Sequence, residues 1–232
     1  MNFSTLAVAG CGYMVGYAHG DGHRNLAQSL GIFNVDNITK SNSSNTEIIQ
    51  AVYQHSLQTQ LPVIYVVGMT FLGRWTLPLL KQGKSKWVSF QNSSNIVHNE
   101  DWAISLEEFE TLLEIKLKTE QYSIKDRLEH LIMQLRMLID SLRARQHQIV
   151  IFNTADDLVV PYLTEFESLT NIPQFVHNLA WLSVPWQFAQ GVAPSVYDQQ
   201  PGIPPGQRHP NPGEHEILNK FLLNYINTHL IA

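Results

Sequence analysis

One cysteine, Cys11, stands alone in 232 residues, so the chain holds no disulfide framework of its own. Charge is sparse as well. Only 15% of residues are charged and the net charge is −5, without the basic face that a general nucleic-acid binder presents, so no nucleic-acid partner is expected. No apolar run approaches the roughly 18–20 residues of a membrane span. The N-terminus enters Leu6–Ala9 with neither a basic region nor a long apolar stretch before it, so no signal peptide is expected. Internal repeats are lacking, and low complexity is confined to a Pro/Gly-rich stretch near the end. These absences predict a protein of the cytoplasm with no membrane contact and no cofactor.

What is present is the material of one α/β domain spanning 1–232, with 44% hydrophobic residues to build its core. Leu6–Ala9 is a short apolar run that reads as a buried parallel strand; it ends at Gly10-Cys11-Gly12, and a rim loop holding Gly20, Asp21, Gly22 and His23 is expected beyond it. Asn25–Gly31 reads as a helix closed by glycine. Phe33–Ile38 alternates like a short edge strand. The polar cluster Ser41–Asn45 leads as an N-cap region into a helix over 46–57. Pro62–Gly68 is β-branched and aromatic throughout, the mark of a central strand. Lys86–Gln91 reads as an extra strand or a hairpin arm.

Residues 105–145 read as a helical insertion. Ser105 and Glu108 make a capping box. Ile124, Leu128, Leu131, Ile132, Leu135, Leu138, Ile139 and Leu142 then repeat on one face. That stripe must be covered by the domain or by a second copy, and the pattern leans towards self-association through 124–142. Gln148–Asn153 is the next buried strand. A loop with five prolines over 199–213 brings His209 to a final helix, with Asn211 as its cap and Pro212 as its first residue. Alternating strands and helices predict a flavodoxin-like three-layer α/β/α sandwich around a parallel sheet. Three strand ends meet at one rim of that sheet: Gly12, Gly68–Thr70 and Asn153–Asp156.

Several residues at that rim have two readings. Ser44 and Asn45 line an anion pocket or cap the helix. Arg74 binds a substrate carboxylate or phosphate, or forms an ordinary ion pair. His19, Asp21 and His23 suggest a metal, but spacing places no fourth ligand, so a polar loop and no metal are expected. Cys11 neighbours the rim, but adjacent strand residues face opposite ways, which predicts a small buried hydrophobe. Trp75, Trp102, Trp181 and Trp186 read as packing residues, although indole faces suit sugar rings.

Four blocks, in order, resemble the SGNH (GDSL-type) hydrolases, in particular the divergent branch common in phage and environmental genomes. Gly10-Cys11-Gly12-Tyr13 is similar to the Gly-Cys-Ser-aromatic nucleophile block, with glycine for serine. Asn42-Ser43-Ser44-Asn45 is similar to Gly-x-Ser-Asn, with asparagine for glycine. Gly68-Met69-Thr70 followed by Arg74 is similar to a Gly-x-Thr/Ser-(x)3-Arg third block. His209-Pro210-Asn211-Pro212-Gly213-Glu214-His215 is similar to the last block, in which His-Pro precedes Gly-x-His. The resemblance implies a serine esterase lineage acting on acyl esters, including acetyl esters of a glycan. It makes Gly12 the nucleophile position and His209 the base, and assigns Asn42, Ser44, Asn45, Thr70 and Arg74 to the oxyanion and substrate pocket. The family's orienting aspartate falls at Gly206; Asp156 or Glu214 could take its place. Without serine at 12, little or no hydrolysis is expected. The alternative is a non-catalytic binding or assembly protein on the same fold, for instance a phage virion component.

Overall fold

The computed structural model of the chain describes residues 3–40, 43–70, 75–81, 84–90, 111, 124–153 and 212–231. In chain order the elements are β1 (Thr5–Gly10), α1 (Gly12–His19), α2 (Gly22–Ser29), β2 (Asn34–Asn37), α3 (Asn45–Gln58), β3 (Val63–Met69), β4 (Trp75–Lys81), β5 (Lys84–Phe90), α4 (Ile124–Ala144), β6 (Gln148–Asn153) and α5 (Pro212–His229). Strands β2-β1-β3-β6 lie side by side in that order, all parallel. This is the α/β architecture with a parallel sheet that the alternating pattern predicts. None of the described helices is long and apolar enough to cross a membrane.

Alternation along the strands sorts the core into two layers. Ala7, Ala9, Val63, Tyr65, Val67, Met69, Ile149 and Ile151 face α3 and α4; Leu6, Val8, Ile64, Val66, Val150 and Phe152 face α1, α2 and α5. Every residue of β1 and β3 is buried, which is why both read as uninterrupted apolar runs. The polar, half-exposed β2 is a four-residue edge strand, short enough to offer little to a foreign strand.

The structure departs from the sequence reading at three places. No long loop follows β1: α1 opens directly at Gly12, and only Gly20 and Asp21 separate it from α2. The two glycines of Gly12–His19 are poor helix formers, but burial of Met14, Tyr17 and Ala18 against the sheet outweighs their propensity. His23, expected in a rim loop, is therefore inside α2 and buried. At the 105–145 insertion, Ile124–Ala144 is the connection that returns the chain to β6, packed on α3 and the sheet; Ser105 and Glu108 lie outside the described residues. Its stripe, Leu131 to Leu142, is covered by the domain itself, leaving Met133 and Met137 on the outer face. Finally, the arm expected at 86–91 is β5, paired antiparallel with β4, a strand the sequence concealed behind Pro78.

Candidate functional site

Strands β1 and β3 are neighbours, and their last paired residues are Gly10 and Gly68. Just beyond them the two chains part, β1 turning into α1 and β3 running on to Thr70. Gly10 has a φ of 149°, and a Cβ there would overlap the Met14 side chain and come within 2.8 Å of the Gly68 carbonyl oxygen. Glycine is required at this point because the first turn of α1 closes directly over the strand end. Val15 N–H donates to the Cys11 carbonyl at 3.0 Å, so the helix begins at Gly12. The N–H groups of its first turn have no carbonyl within the helix to bind, and the helix dipole adds partial positive charge there. Gly12 thus stands at the strand-to-helix junction with backbone donors and no side chain. Cys11 beside it is buried in the α3/α4 layer, a small core residue facing away from α1.

The second wall is built around the start of α3. Ser44 is its N-cap: its Oγ accepts from Glu47 N–H at 3.3 Å, and the Glu47 carboxylate accepts from Ser44 N–H at 3.1 Å. The same carboxylate, nearly buried, receives Lys40 Nζ at 2.9 Å. Lys40 N–H in turn donates to the Gly10 carbonyl at 3.0 Å. The 40–44 segment is thereby fixed to the end of β1. Asn45 fixes it to β3: Thr70 N–H donates to Asn45 Oδ1 at 2.7 Å, and Asn45 Nδ2 donates to the Thr70 carbonyl at 2.9 Å.

Of the two readings of Ser44 and Asn45, capping is therefore what their side chains do. Ser44 holds the helix start and Asn45 clasps the Thr70 main chain, so both give the rim its shape. Thr70 is fully buried, and its Oγ1 has no hydrogen-bond partner. By alternation from Val67 and Met69, which face α3, its side chain falls on the α1 side of the sheet. A buried hydroxyl left unbonded costs about 1–3 kcal/mol, a cost that a site for a polar ligand explains.

Gly12, Ser44, Asn45 and Thr70 are thus brought to one end of the sheet. Asn42, Arg74, Asp156, Gly206 and His209 lie outside the described residues. Glu214 lies in the first turn of α5. Lys40 and Glu47 belong to this end too, and the sequence reading did not name them. Glu47 could have been found, since Ser44 and Glu47 have the spacing of a capping box; nothing in the sequence marks Lys40. The His19, Asp21 and His23 cluster is drawn apart by the helical turn between α1 and α2. Among the described residues no three His, Cys, Asp or Glu side chains gather where a metal ion could be held. No protein-family model matches the chain, and no curated protein matches its sequence.

Proposed function

We propose that this chain is an SGNH-type ester hydrolase frame whose nucleophile is missing, and that it now holds an acyl ester or glycan ligand at the rim without cleaving it. The observation that carries this reading is the junction at Gly12. It is the first residue of a helix that opens directly from the central strand, beside the clasped Thr70, where a serine would be presented to a bound carbonyl with backbone N–H groups around it. Glycine supplies the donors but no oxygen to attack with. The resemblance of His209 and Ser44-Asn45 to the family's later blocks supports the same lineage.

Hydrolysis of p-nitrophenyl acetate tests this directly. The chain as it stands should not exceed the uncatalysed rate. Gly12→Ser should add a measurable rate, and Gly12→Ser with His209→Ala should lose it. The gain should be small, because Gly206 offers no carboxylate to orient the histidine, a defect that costs roughly 10⁴-fold in serine protease triads. A Gly12→Ser rate that survives His209→Ala would remove His209 from the site.

A further inference from the structure

The last sequence block contains a second histidine, His215, for which the proposed chemistry has no use. It lies in the first turn of α5, 5% exposed, with its ring edge-on to that of Tyr17; the centroids are 5.4 Å apart and the planes at 88°. One turn further on, Asn219 accepts a hydrogen bond from the Tyr17 hydroxyl through Oδ1 and donates from Nδ2 to the Gly22 carbonyl at 2.9 Å. A Cβ on Gly22 would run into the Tyr17 ring, so the close approach of α2 to α1 is part of the same joint. Three helices meet at these four residues.

The apolar contacts of α5, made by Leu218, Leu222 and Ile226, decide which of its faces lies on the sheet. They tolerate sliding, because one leucine can replace another in register. The two directional bonds of Asn219 do not, since a slip of one turn moves the helix about 5.4 Å and breaks both. They therefore set the height of Pro212 against Gly12. Tyr17 is five residues past Gly12, about 7.5 Å along α1. His209 precedes Pro212 by three residues, which covalent geometry limits to about 11 Å.

We propose that Tyr17 and Asn219, braced by His215, are positioning residues that set the start of α5 so that His209 is delivered to Gly12. The inference rests on the reading above, in which those two belong to one site. Its test is a distance and not a rate of catalysis. In a Cys11→Ser background, Gly12→Cys and His209→Cys are joined with dibromobimane, a short thiol-to-thiol reagent, and intramolecular crosslinking is timed.

The unaltered joint should crosslink readily, and Asn219→Leu should slow the reaction at least tenfold. Tyr17→Phe combined with Asn219→Leu removes both polar partners, so stability should largely recover while crosslinking stays slow. Leu26→Ala, which loosens the same core without touching the joint, should leave the rate within twofold. No crosslink in the unaltered joint, or equal rates with and without Asn219, would overturn the proposal. Fluorophosphonate labelling of Gly12→Ser reports on the hydrolase reading separately. Labelling without any crosslink would sink the positioning role alone.

Discussion

Asn45 is the side chain on which the rim most depends. Its amide satisfies both the N–H and the C=O of Thr70, two buried main-chain groups at a strand end where no neighbouring strand can reach them. Asn45→Ala should cost about 2–4 kcal/mol in urea unfolding, since each abandoned group bears its own desolvation penalty. Buried histidines set a second expectation. Burial lowers the pKa of His23 and of His147 below the ordinary 6.5. His147 is also committed as an acceptor, because Val63 N–H donates to its Nδ1 at 3.2 Å. The unfolded chain then binds more protons than the folded one just below pH 6.5. Stability should be full above that value and fall as pH drops through the lowered folded pKa values. Unfolding midpoints at pH 8, 6 and 5 check the sign, and His23→Gln with His147→Gln should flatten the slope. At this scale the sequence was partly legible. Cys11 as a core residue followed from strand alternation, and Ser44 as a cap followed from its polar cluster. His23 did not, because its burial depends on helices α1 and α2 folding against each other.

Two helix ends make a matched pair. Helix α2 closes with Gly31 N–H bonded to Gln28 O at 3.1 Å and Ile32 N–H to Ala27 O at 2.9 Å, and Gly31 has a φ of 69°. Helix α4 closes the same way, with Gln146 N–H to Arg143 O and His147 N–H to Leu142 O, both 2.9 Å, but the left-handed residue there is Gln146 at 62°. Gly31→Ala should cost about 1 kcal/mol, from backbone strain alone, because a Cβ there meets nothing within 4 Å. Gln146→Gly should be neutral or gain up to about 1 kcal/mol. Thermal midpoints should move in opposite directions, by roughly 2–4 °C per kcal/mol. The glycine stop of α2 was readable because glycine marks it. That of α4 was not, since glutamine carries no such signal. Strands β1, β3 and β6 were readable from their apolar runs, whereas α1 was hidden by its glycines and β4 by its proline.

Across the whole molecule, the parallel sheet decides where chemistry can gather. With β1 and β3 adjacent at its centre, their carboxyl ends place Gly12 and Thr70 side by side, and the 40–44 segment is tied to both strand ends. That convergence was legible, because strand-end positions follow from a βαβ pattern before any side chain is placed. Lys40 and Glu47 were not, since their role comes from a chain reversal after β2 that no local pattern encodes. His209 was legible through resemblance to a family motif, and its identity as the base depends on the frame around Gly12 being that of a hydrolase. Labelling Gly12→Ser with a fluorophosphonate probe tests this most directly, because the probe requires an activated serine and no particular substrate. The account predicts covalent labelling of the introduced serine in the folded variant, diminished by His209→Ala and absent from the unsubstituted chain. A folded Gly12→Ser protein that takes up no probe would contradict it.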